Sequence, residues 1–336
     1  MLVVLSHYIG SSFDFGGECG VSFFFMLSGF VLSLAYSERI SKGLFSTKPF
    51  CVKQWIKIYP LHIITFIIMF ALDLRLEKYC EPEAAIANLL LLQSWVPADS
   101  FYFVANSPSW FLCDIMFFYV VFSSLNKLIL RVDNIRLYSI SLFVFLLYIC
   151  LMVVLPSSLV NPVLYANPLT RLLDFIIGII LFKLYISDKG IALKDKLVKK
   201  SSFVVSSMEF SLILLIVVTA IVYPHLQPRV RTVFIFWLSI PLTIFFFALS
   251  DQSKGVVSRF LQGKTMLWLG NISFCLYIIH APVLRIFNSI SVQVGISDLT
   301  TIHFILFTTI LILFSHLTNK FNMAFLSKIR NTNFFK

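Results

Sequence analysis

Nine predominantly apolar stretches, near residues 17–36, 58–74, 108–126, 137–155, 169–186, 206–223, 232–249, 266–288 and 301–318, recur along the chain at close to membrane-spanning length. About 20 such residues cross the hydrocarbon core as a helix. A helix is one of only two backbone forms that satisfy every peptide group inside lipid. The composition agrees: 59% of the 336 residues are hydrophobic and 13% charged, with 37 Phe and a mean hydropathy of +0.91. Soluble domains average about 45–50% apolar and about 25% charged, so a soluble globular enzyme is excluded. Disorder needs the opposite composition. The expected fold class is all-α, a polytopic integral membrane helix bundle.

The formal charge of +11 sets the expected topology, because Lys and Arg mark cytoplasmic loops. Loops 37–57, 126–136, 187–202 and 250–265, with the tail from Lys320, hold 20 of the 27 basic residues. Segments 156–168 and 289–300 hold none, and only Arg229 and Arg231 in loop 224–231 break the alternation. The pattern works only if residues 86–97, an apolar but short run ending in Pro97, do not cross; that segment is expected to be re-entrant or interfacial. About ten crossings result, with both termini cytoplasmic. The first, residues 1–10, has about half the required length, so the natural chain is expected to start upstream of Met1. No linker or repeat is visible, and residues 1–336 read as a single transmembrane domain without an appended soluble one.

Six scattered Cys form no CxxC pair and no zinc-type cluster, so no metal site is expected. A disulfide between Cys19 and Cys80, both expected toward the outside, stays open. Walker A, GxGxxG, GxSxG and HExxH are absent. Basic loops that topology already explains give no reason to expect nucleic acid.

Ionisable groups inside a span are costly and usually have a function or a partner. They are His7, His62, Asp114, Arg171, Asp174, Glu209, His280 and Arg285. Lys183 and Glu209 lie near inner helix ends and are expected to reach the interface. Arg171 and Asp174, three apart, share a helix face; they form a structural ion pair, a polar cavity wall, or both. Asp114, four residues after Trp110, should face the interior and meet a cation or a His, either as a structural pair or as an orienting or acid/base group. An imidazole can take and return a proton near neutral pH, which makes His7 the best chemical candidate, against an interfacial role. His62 and His280 are weaker candidates. Pro60 and Pro282 beside them suggest locally broken helices lining a cavity. His225, His303 and His316 need no special role.

The motifs, taken in order, resemble one family. GVSFFFMLSGF carries an FFxxSG signature at Phe24, Phe25, Ser28 and Gly29; His7 precedes it at a suitable spacing. KQWIKIYPLH (53–62), SWFLCDIMFFY (109–119) and LGNISFCLYIIHAPV (269–283) follow. Together these resemble the membrane-bound acyltransferase 3 family over nearly the whole chain. Three departures stand out. The family's Arg eleven residues before the His would precede Met1. Its paired arginines before IYP read Gln54 and Lys57, with Lys53 adjacent; Lys keeps a point charge but not the bidentate fork. Its acid after Ser-Trp is Asp114 rather than Glu.

The resemblance implies transfer of an acyl group, commonly acetyl from cytosolic acetyl-CoA, onto a hydroxyl of a cell-surface glycan such as O-antigen, capsule or exopolysaccharide, in the bacterial inner membrane. No permanently bound cofactor is implied; the partners would be membrane lipid, acyl-CoA and a glycan or lipid-linked glycan. His7 and Asp114 would be catalytic, and Lys53 and Lys57 would hold CoA phosphates. Arg171, Asp174, Trp110 and His280 would contact the acceptor. Backbone N–H groups freed near Ser28 and Gly29 would hold the oxyanion. The rival reading is an exporter of a lipid-linked glycan or small molecule, which also predicts many spans with midplane polar residues.

Overall fold

The computed structural model describes residues 2–9, 17–78, 80–227, 229–250, 255–294 and 301–330, and those residues contain helices and no strand. In chain order the helices are α1 (Leu2–Ile9), α2 (Gly17–Ser41), α3 (Thr47–Arg75), α4 (Pro82–Leu89), α5 (Asp99–Tyr102), α6 (Trp110–Arg131), α7 (Asn134–Val154), α8 (Ser157–Leu164), α9 (Pro168–Tyr185), α10 (Asp188–Val198), α11 (Ser202–Val222), α12 (Ser239–Leu249), α13 (Val256–Leu261), α14 (Lys264–Val294) and α15 (Thr301–Arg330). Seven are long and apolar enough to cross a membrane, counting short 3-10 extensions: α2, α3, α6, α7, α11, α14 and α15.

The remaining three expected crossings are also helical. α9 carries Arg171, Asp174 and Lys183 within its 18 residues, too many charges to qualify on apolarity alone. Residues 232–249 form a 3-10 run, Val233–Trp237, leading into α12. α1 has eight residues. Residues 86–97 do not cross: α4 ends at Leu89, and a single 3-10 turn, Gln93–Trp95, follows. His62 holds this segment in place, its Nε2 bonding the Asn88 carbonyl at 3.0 Å, while Tyr59 Oη donates to the Leu89 carbonyl. The orphan carbonyls at the end of α4 thus find partners on α3.

A central set of helices, α2, α3, α6, α9 and α14, surrounds the largest apolar core, in which Phe25, Phe118, Phe122, Phe175 and Ile278 are fully buried. α7 and α11 sit at the periphery; Phe143, Leu146, Phe210 and Leu214 remain exposed there, as lipid-facing residues should. α2 and α9 cross in backbone contact. A Cβ on Gly29 would come within 2.1 Å of the Phe175 carbonyl oxygen, and one on Gly178 within 2.0 Å of that of Met26. Small residues at such crossings let membrane helices approach closely. Asn126 ties α6 to the same face of α2, donating to Ser33 and Ser37 at 2.9 Å each.

Several sequence expectations are corrected here. Lys183 has partners in the protein as well: its Nζ donates to the Ile129 carbonyl at 3.0 Å and to that of Val132, closing the C-terminal turn of α6. Glu209 is fully buried and accepts from the backbone N–H groups of Val257 (2.9 Å) and Ser258 (3.2 Å), capping α13. Arg229, an exception to the basic-loop alternation, donates to the Val153 carbonyl at the end of α7. α3 and α14 run unbroken through Pro60 and Pro282. Pro282 has no N–H to offer the Ile278 carbonyl; Asn106 Nδ2 takes that oxygen instead, at 2.9 Å. All six Cys are free, so the Cys19–Cys80 disulfide does not form.

Candidate active site

The FFxxSG signature lies on the continuous helix α2 and divides between two faces. Phe24 and Ser28, one turn apart, line a cavity of about 230 Å³. Phe25 and Gly29 point the other way: Phe25 stacks on Phe111 (centroids 4.7 Å apart) and Gly29 packs on α9. Ser28 donates its hydroxyl to the Phe24 carbonyl at 2.6 Å. Because α2 is unbroken here, the N–H groups of Ser28 and Gly29 belong to the helix ladder. They are therefore not available to an oxyanion, which corrects that expectation.

The cavity runs between α2, α3, α6 and α14. Gln54, Lys57 and Ser273 supply its polar lining toward the loops rich in Lys and Arg, and Phe24, Phe111 and Tyr277 line the rest. Lys57 is exposed and lines it; Lys53 is exposed but does not. Gln54 and Lys57, the positions that stand for the family's paired arginines, thus both border the same space. Tyr277 is fixed, its hydroxyl donating to the Pro108 carbonyl at 3.0 Å.

One turn beyond Tyr277 on α14 stands His280, wholly buried. Its Nδ1 bonds the Tyr277 carbonyl, and its Nε2 has no hydrogen-bond partner. The ring of His7 stands perpendicular to it, with centroids 4.9 Å apart and planes at 87°. His7 itself is exposed. The short helix α1 that carries it packs along the start of α2, where added Cβ atoms on Gly17 and Gly20 would strike Ser6 and Val3. It is also tied to α15: Tyr8 Oη bonds His303 Nδ1 at 2.7 Å, and His303 Nε2 bonds Ser291 Oγ at 3.0 Å. His303 is therefore an anchor for the segment that carries His7, a role that no feature of its local sequence suggests.

Three other expected site residues form a second buried group. Asp114, Arg171 and Asp174 are all fully buried. Arg171 Nη1 meets Asp174 Oδ2 at 3.0 Å, and Trp237 Nε1 donates to Asp174 Oδ1 at 2.5 Å. The guanidinium also lies over the rings of Phe25 (5.1 Å), Tyr165 (5.8 Å) and Trp110 (6.0 Å), contacts that stabilise a desolvated cation. Asp114 is close enough to Arg171 and Asp174 to feel both charges. The ring that stands beside His7 is that of His280. Trp110, Arg171 and Asp174 line no described cavity. Arg285, further along α14, pairs with Asp73 of α3 at 2.6 Å.

An acyltransferase-domain family model matches residues 1–318. The chain belongs to this acyltransferase family. The acyltransferase is also similar to "Acyltransferase MdmB" of Streptomyces mycarofaciens, with 27% identity over 286 residues that cover 80% of this chain and 68% of that protein. No solved structure matches. The family and the apolar helices together make the acyltransferase an integral membrane protein. Tyr277, Asn106 and the Tyr8–His303 tie are the parts of the site that sequence reasoning missed. One signal was present: a proline within a helix leaves the carbonyl four residues earlier without its donor, which flagged Ile278 but could not name Asn106.

Proposed function

We propose that this acyltransferase moves an acetyl group from acetyl-CoA to a hydroxyl of a cell-surface glycan, in a bacterial inner membrane with its basic loops in the cytoplasm. One observation supports the reading above the others. A single cavity begins at Lys57 and Gln54 and reaches Tyr277, one turn from the His280–His7 pair. An anionic donor entering from the basic side meets Lys57 first, and charge-assisted contacts to phosphate suit that position. The pantetheine arm follows the apolar lining between Phe24 and Phe111.

In the proposed reaction, His7 takes the proton of the acceptor hydroxyl as that oxygen attacks the thioester carbonyl. The new C–O bond forms, the C–S bond breaks, and the CoA thiolate leaves with the proton that His7 held. His7 reaches the protein surface, unlike the enclosed Asp114–Arg171–Asp174 group, which gives an acceptor a way in that the donor does not share. Arg171 and Asp174 stabilise the bundle behind this site.

The test is mass spectrometry of the surface glycan from cells with the gene, without it, and with His7→Ala. Loss of acetyl increments at unchanged polymer amount, in both the deletion and the variant, is the expected result. Loss of the polymer itself would instead indicate export. Full acetylation by a His7→Ala protein present at normal level in the membrane would remove His7 from the mechanism.

A further inference from the structure

From the geometry around α14 we infer that His280 is the positioning residue of His7, holding its imidazole in the tautomer whose bare nitrogen faces the acceptor; this rests on the reading of His7 given above. A carbonyl oxygen can only accept, so the bond between His280 Nδ1 and the Tyr277 carbonyl places the His280 proton on Nδ1. Nε2 is then a bare lone pair. It is buried, it has no partner, and its ring stands 4.9 Å from that of His7. Two imidazoles joined by an N–H···N bond have centroids about 5 Å apart, given ordinary hydrogen-bond lengths. The two centroids are thus at the separation that such a bond needs, and a turn of the His7 ring would bring a donor to the lone pair.

The consequence is chemical. With one His7 nitrogen donating to His280, the other must be the unprotonated one, and it faces the open side. His280 thereby does with a neutral lone pair what a carboxylate does for histidine in hydrolytic triads, without placing a charge in the membrane interior. The surroundings fix His280 itself. Asn106 engages the Ile278 carbonyl that Pro282 leaves free, and Tyr277 is bonded to Pro108, so the turn that presents the ring is held from two sides.

The experiment compares the full-length protein with His280→Leu and His280→Gln in detergent-solubilised membranes. Leu offers no acceptor; the Gln side-chain oxygen reaches the place of Nε2. His280→Leu should lower kcat about a hundred-fold or more, within the range for general acid–base groups, with KM for acetyl-CoA unchanged. His280→Gln should recover most of that loss. Wild-type kcat in the Leu variant, or equal loss in both, overturns the inference. Histidine side-chain nitrogen NMR on the isotopically labelled wild-type protein needs neither variant to fold. A proton on Nδ1 of His280 supports the inference, and a proton on Nε2 ends it. If the wild-type protein transfers no acyl group at all, the proposed function fails, while the NMR result still decides the tautomer.

Discussion

Gly29 of α2 and Gly178 of α9 face each other so closely that a methyl group on either would collide with the backbone of the opposite helix. The glycine of the FFxxSG signature is therefore a packing residue, and Ser28 beside it faces the cavity. Gly29→Ala should force the two helices apart and cost about 2 kcal/mol or more, as overpacking does. Gly178→Ala should cost a similar amount. Thermal unfolding in detergent checks both. A Gly29→Ala protein as stable as wild type would mean that the helices do not cross this tightly.

Tyr8 ties α1 to α15 through His303 and neighbours the residue proposed to do the chemistry. Tyr8→Phe keeps the ring, which stacks on Phe307 at 5.2 Å, and removes only the hydroxyl. Activity should fall about ten-fold, the cost of one good hydrogen bond, with unfolding temperature nearly unchanged. Undiminished turnover would show that α1 holds its place without that bond.

Lys57 borders the cavity and Lys53, one turn earlier, does not. Lys57→Ala should raise KM for acyl-CoA about ten-fold at constant kcat, the pattern of lost uniform binding. Lys53→Ala should change KM less than about two-fold, since an exposed charge outside the cavity is screened. Steady-state kinetics with the two variants side by side would reveal equal effects if the phosphates lay elsewhere.

Glu209 caps α13 from inside the bundle, and an added Cβ on Gly255 would fall 2.0 Å from its Oε1. Glu209→Ala leaves buried N–H groups without an acceptor and should cost about 2 kcal/mol. Gly255→Ala should destabilise through the same contact. Denaturation followed by tryptophan fluorescence reports both.

The all-α membrane class was legible because hydropathy is a one-dimensional signal, and seven of the expected crossings are helices long and apolar enough to span. The non-crossing of residues 86–97 was legible too, from loop charge. What sequence could not supply was which polar groups meet. Glu209 and Lys183 read as interfacial because both lie near helix ends, yet each ends on backbone atoms of another helix at its terminus. Pro60 and Pro282 read as breaks because the donor that rescues a proline turn, such as Asn106, is 172 residues away along the chain. Asp114 read only as an interior carboxylate in need of a cation or a His, because spacing along the chain cannot say which of the two it meets. The fold sends Asp114 to the Arg171 side and brings His280 to His7.

Tyr277 and His280 belong to one uninterrupted helix, the first forming part of the cavity wall and the second backing His7. Any slide or tilt of α14 therefore moves both together, by nearly the same amount and in the same direction. Whatever presses on the phenol ring from the cavity would carry the His280 imidazole with it, without any relay of intervening side chains.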